Sequence, residues 1–113
     1  SKISADILCK LIELLDVRAR AAYGARAAIL AIQEQPPDIV FVDINMPGLS
    51  GYEVLGFIKR DPATENIPVV VVTADDDTDT KAKALQEGAL ALLVKPVVLE
   101  SLEDILKLAK IIV

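Results

Sequence analysis

Residues 39–43 (IVFVD) set four apolar residues in a row and end on an acid. A half-exposed strand would alternate polar and apolar residues. An unbroken run of this length marks a strand buried on both faces, the pattern of a parallel sheet covered by helices. The run leads into a turn holding Pro47 and Gly48, so its last residue, Asp43, falls at the carboxyl edge of the sheet. Open α/β sheets bind ligands at that edge, and Asp43 is the residue to explain.

Two further runs repeat the pattern. Pro68 leads into residues 69–73 (VVVVT), fit for a central strand, and residues 90–94 (LALLV) end at Lys95 and Pro96. Residues 17–23 differ, because Val17, Ala19 and Ala21 alternate with Arg18, Arg20 and Ala22, which predicts a half-exposed edge strand with its arginines toward solvent. Helical spacing fills the intervals. Ile3, Ile7, Leu8, Leu11, Ile12 and Leu15 form one stripe, capped by Ser1 or Ser4 and ended by Asp16. Further helices are predicted over 25–35, stopped by Pro36 and Pro37, and over 51–60, with Val54, Leu55 and Ile58 inward. The helix predicted over 78–87 ends at Gly88, and the one over 99–109 has acids at its start and lysines at its end. Asp75, Asp76 and Asp77 read as solvated loop and helix-cap residues. Strands alternating with helices of about ten residues dictate right-handed βαβ crossovers and a parallel sheet.

The chain has 113 residues, 53% of them hydrophobic, which suits a single domain over 1–113 with one core. Aromatic residues are too few, at 4%, to build that core, so it must come from Ile, Leu, Val and Ala. The net charge of −5, with Lys and Arg scattered, argues against a nucleic-acid surface. One cysteine, Cys9, excludes an internal disulfide, and reads as a helix core residue and not a reactive thiol. The absence of histidine makes zinc or haem sites improbable. No run spans a bilayer, and the expected compartment is the cytoplasm.

Asp43, Thr73 and Lys95 end three successive buried strands. In a parallel sheet those ends open on one edge, which brings a nucleophile, a hydroxyl and a cation together. A carboxylate can attack phosphorus, an ammonium can neutralise the phosphoryl oxygens, and a hydroxyl can donate to one of them. The product is an aspartyl phosphate. Chemistry of this kind normally needs a divalent metal, usually magnesium, held by carboxylates, substrate oxygens and waters.

The stretches DIVFVDINMPGLSGYEVL, IPVVVVTA and GALALLVKP, in this order and spacing, resemble the receiver domain of bacterial two-component response regulators. The resemblance implies a flavodoxin-like fold, a three-layer α/β/α sandwich with a parallel sheet, of which a receiver is one of the stock examples. It implies that Asp43 is the phosphoacceptor, Thr73 the switch hydroxyl and Lys95 the conserved lysine, with the backbone carbonyl of Asn45 and Asp43 itself as ligands of Mg2+. It implies a cis bond between Lys95 and Pro96. A histidine kinase and an output domain or receiver homodimer are the implied partners; separately, exchange of the chain's last residues between copies would give a strand-swapped dimer. The chain itself would not be an enzyme beyond accepting a phosphoryl group on Asp43.

Two departures stand out. Receivers open on a hydrophobic strand ending in two metal-binding acids, whereas this sequence opens directly on what looks like the helix that follows them. The last four residues, Lys110, Ile111, Ile112 and Val113 (KIIV), are β-branched at three positions and suit a strand. They are expected to supply the missing central strand, as in a circularly permuted or engineered chain, the alternatives being a truncated chain or a strand donated by a second chain; for the tail itself the alternative is a last helical turn packed on the sheet. Without the acidic pair, metal affinity and phosphotransfer at Asp43 should be weak. The second departure is Leu92, where receivers usually carry a Phe or Tyr coupled to Thr73. Besides the phosphoacceptor, the sequence admits a receiver-fold scaffold without phosphotransfer. It scarcely admits a haloacid-dehalogenase phosphatase, whose second Asp is Asn45 here. The P-loop and dinucleotide fingerprints are absent.

Overall fold

The four-valine run lies at the centre of the molecule. In a computed structural model, which describes residues 2–44 and 51–113, the elements follow the order α1 (Lys2–Leu14), α2 (Ala25–Glu34), β1 (Val40–Asp43), α3 (Gly51–Arg60), β2 (Val69–Thr73), α4 (Thr78–Gln86), β3 (Ala91–Val94) and α5 (Leu99–Leu108). The three strands form a parallel sheet in the order β1-β2-β3. Val40 is in register with Val69, Asp43 with Val72, and Thr73 with Val94.

Every residue of β2 is buried, because helices cover both faces of the sheet. Val69 and Val71 point into a cluster with Ile32 of α2 and Val54, Leu55 and Ile58 of α3. Val70 and Val72 point the other way, onto Ile12 of α1 and Leu102, Ile105 and Leu106 of α5. The alternation along one strand therefore builds two cores and the three-layer α/β/α arrangement. Full burial of each such side chain contributes about 1.5–3 kcal/mol before entropy is counted. α3 begins and ends where its sequence predicts, and Val54, Leu55 and Ile58 face inward at helical spacing.

β1 and β3, read from sequence as buried on both faces, are the outer strands of the described sheet and are mostly half-buried, and three further expectations need correction. Residues 17–23 pair with no strand among the described residues. The predicted alternation persists, with Val17 and Ala19 half-buried and Arg18 and Arg20 exposed. The side-chain pattern is that of an edge strand, but a strand also needs a neighbour to complete its ladder, and none is described beside it. Ser4 lies within α1, so it is not the cap, and Ser1 is outside the described residues.

The tail is the third correction. Lys110 has φ of 61°, Ile111 N–H donates to Leu106 O at 2.9 Å, and Lys110 N–H donates to Lys107 O at 3.0 Å. This pair of bonds around a left-handed residue is the Schellman turn that closes an α-helix. Ile111 and Ile112 pack on the core cluster that contains Leu106. The last four residues thus turn back on α5 and supply no strand, and the readings of a permuted or engineered chain lose the observation that carried them. β-propensity yielded here to a hydrophobic contact that is available as soon as the helix turns. Asp16, also at φ of 61°, stops α1 in the same left-handed conformation.

Candidate functional site

Asp43 is the last residue of β1, Thr73 the last of β2, and Lys95 the first after β3. The parallel register carries all three to one edge, and Lys95 N–H donates to Thr73 O at 2.7 Å, which continues the β2–β3 ladder past the strand. The Lys95-Pro96 bond is cis. The Lys95 ammonium donates to Asp43 Oδ2 at 2.6 Å, and its other described partner is Ser4 Oγ at 3.5 Å. The Lys95 and Asp43 side chains are 28% and 18% exposed, so this charge-assisted bond is partly shielded from water. It fixes the direction of the carboxylate at the strand end.

Thr73 has no exposed surface, and its Oγ accepts a hydrogen bond from Asp75 N–H at 3.1 Å. Asp75 organises the loop beyond: Oδ1 accepts from Asp77 N–H and Oδ2 from Thr80 Oγ, both at 2.9 Å. Asp77 then caps α4 by accepting from Asp79 N–H. Asp75 and Asp77 are therefore loop and cap residues, as read from sequence. Asn45 and the turn at Pro47 and Gly48 lie outside the described residues.

Among the described residues no group of three metal-ligating side chains forms. Asp43, engaged by Lys95, is the strand-end residue that could contribute a carboxylate to a magnesium site. Cys9 is half-buried in α1, and its thiol is pushed up by burial and then by Glu13 and Asp6, so it stays protonated at neutral pH. Leu92 is half-buried and packs beside the α2 and α3 cluster.

Sequence reasoning missed three contributors. Ser4 approaches Lys95 across 91 positions of sequence, a contact no local pattern announces. Gly51 starts α3 so close to β1 that a Cβ there would stand 2.5 Å from Asp43 O. The motif GY at 51–52 held that signal, but only the backbone approach gives it meaning. Tyr52 receives the Lys83 ammonium 4.4 Å from its ring centroid, at the same edge of the sheet.

Residues 1–107 match the response regulator receiver domain. This chain belongs to the receiver domain family. It is 40% identical over 83 residues to protein PilH of Pseudomonas aeruginosa, covering 74% of this chain and 68% of that protein. It is 32% identical over 108 residues to response regulator PleD of Caulobacter vibrioides, covering 88% of this chain and 22% of that protein. Among solved structures, the signal receiver domain of a DNA-binding response regulator from Colwellia psychrerythraea superposes with a TM-score of 0.89 at 29% identity, over 99% of this chain and 93% of that one. The fold is that of the flavodoxin-like receivers. The chain spans only 18% and 22% of the length of two curated relatives, so it corresponds to one part of those proteins. No helix among the described residues is long and apolar enough to cross a membrane.

Proposed function

We propose that this receiver accepts a phosphoryl group on Asp43, with Lys95 and Thr73 as its helpers and a histidine kinase as the physiological donor. The observation that carries the reading is the 2.6 Å contact between the Lys95 ammonium and Asp43 Oδ2 at the strand edge. A carboxylate oxygen forms the new bond to phosphorus, the donor's bond to phosphorus breaks, and the electron pair leaves with the donor. Lys95 offsets charge on the phosphoryl oxygens as it transfers, and the Thr73 hydroxyl donates to one of them. Magnesium would add charge neutralisation, with Asp43 and the Asn45 carbonyl as its ligands. No group of three metal-ligating side chains forms among the described residues, and on that ground we expect weak affinity and slow transfer.

Intact mass spectrometry after incubation with acetyl phosphate, with and without Mg2+, tests this. Wild type should gain one phosphoryl group slowly and incompletely, and Asp43→Asn should gain none. Lys95→Met should slow the gain by about tenfold or more, the equivalent of one lost charge-assisted hydrogen bond. Equal labelling of Asp43→Asn would overturn the assignment, and rapid stoichiometric labelling with Mg2+ would overturn the weak-metal reading. Leu92 in the usual aromatic position favours a second reading, a receiver-fold binding module without phosphotransfer. A wild type that takes no label under any condition selects it.

A further inference from the structure

Ile44 and Thr73 form part of the lining of an open cavity of about 340 Å3 at the site edge, together with Tyr52, Asp75, Thr80 and Lys83. Two of these lining residues come from different helices. Tyr52 stands in the first turn of α3, which follows Asp43 in the chain, and Lys83 stands on α4, which follows Thr73. The Lys83 ammonium lies 4.4 Å from the Tyr52 ring centroid, within the range of cation–π attraction. One side-chain contact thus bridges the segments that begin at the two strand ends.

We propose that Tyr52 and Lys83 form a latch across this cavity, setting how large a phosphodonor can approach Asp43 from the Thr73 side. The inference rests on the phosphoacceptor reading of Asp43. Asp43 itself is engaged by Lys95, which is not among the cavity's lining residues and also reaches Ser4 of α1. Thr73 has no exposed surface, so a phosphoryl oxygen that is to meet its hydroxyl comes by way of the cavity it lines. Both halves of the latch are firmly mounted. α4 is held at its start by the Asp77 cap and by Thr80 donating to Asp75, and α3 starts at Gly51, pressed against the Asp43 carbonyl. The Tyr52 phenol is pushed up by burial, then by Glu87 and Asp75, so the ring under the ammonium is uncharged at neutral pH.

Acetyl phosphate and benzoyl phosphate present the same reaction with leaving groups of different size. In each, an Asp43 oxygen bonds to phosphorus, the phosphorus–oxygen bond to the acyl group breaks, and acetate or benzoate departs with the electron pair. No proton or redox partner is needed. Lys83→Met and Tyr52→Leu remove the cation or the ring, whereas Lys83→Arg and Tyr52→Phe keep them.

Two measurements on the full chain decide the matter: hydrogen exchange of backbone amides at 78–83 without donor, and the ratio of benzoyl to acetyl phosphate labelling. Lys83→Met and Tyr52→Leu should each raise both by about two- to five-fold, the range of an exposed cation–π contact, and the conservative pair should match wild type. Unchanged exchange and an unchanged ratio in Lys83→Met and Tyr52→Leu would overturn the latch. An equal drop with both donors in Lys83→Met would also overturn it, since Lys83 would then be a charge that attracts donors. If wild type takes label from neither donor, the phosphoacceptor reading fails, and exchange alone decides whether the helices are latched.

Discussion

Gly51 and Gly56 lie in the same helix, α3, and alanine at each should change stability in opposite directions. A Cβ on Gly51 would stand 2.5 Å from Asp43 O and 2.8 Å from Ile44 Cα, where ordinary contact begins at 3.4 Å, so 0.9 Å must be found. The obstructing atoms are backbone and cannot rotate aside. The end of β1 must therefore move away from α3, carrying Asp43 and its 2.6 Å contact with Lys95. Overpacking of this kind costs about 1–3 kcal/mol. At Gly56 the nearest atom is the Arg60 guanidinium at 2.8 Å, the end of an exposed side chain that can swing away. Removing a glycine from a helix interior then contributes about 0.5–1 kcal/mol of stability. Urea unfolding followed by circular dichroism measures both, and the two variants should differ by about 1.5–4 kcal/mol at similar m-values. The Gly51→Ala variant should also label more slowly at Asp43. A Gly51→Ala variant within about 0.5 kcal/mol of wild type would refute the close approach, since that is the scatter of neutral surface changes.

The tail gives a prediction in which the sign decides. Lys110 holds a left-handed conformation that costs an L-residue about 1–2 kcal/mol, so Lys110→Gly should raise the unfolding free energy by roughly 1 kcal/mol. If the last four residues were a strand, glycine would lower it instead. Both tyrosines should titrate above the ordinary phenol value. Tyr23 does so because it donates a hydrogen bond to Asp6, and Tyr52 because of burial, then Glu87 and Asp75. A raised folded-state value means stability that is present below the unfolded value of about 10 and lost as pH climbs through the folded one. Phenolate absorbance against pH should therefore give later midpoints in the native protein than in urea, and Asp6→Asn should bring Tyr23 earlier. Native midpoints at or below the denatured ones would count against these contacts.

Much of the site was legible because its residues sit at strand ends. Buried runs such as VVVVT can satisfy their backbone only in a sheet, and in a parallel sheet the residue after each run must reach the same edge. Asp43, Thr73 and Lys95 could therefore be placed together before any distance was known. The loop role of Asp75 and Asp77 was legible for a similar reason, since short carboxylates after a strand bond locally to nearby amides. Ser4, Gly51 and the Tyr52–Lys83 contact were not legible, because each depends on how two distant segments approach.

By itself the sequence determined the class of fold, the order of helices and strands between 25 and 109, and the identity of the residues at the carboxyl edge of the sheet. These follow from periodicity and turn chemistry, which act over a few neighbouring residues. Tertiary structure alone decided the fate of the two segments whose local signals were divided. Residues 17–23 kept the alternation of a strand but made no ladder among the described residues, because a strand is completed by its neighbour and not by its own side chains. The KIIV tail abandoned its β-propensity, because a left-handed turn at Lys110 put Ile111 and Ile112 onto Leu106 and the core at once. It was likewise tertiary packing, at Gly51 and at Lys95, that set where the Asp43 carboxylate stands and what it faces.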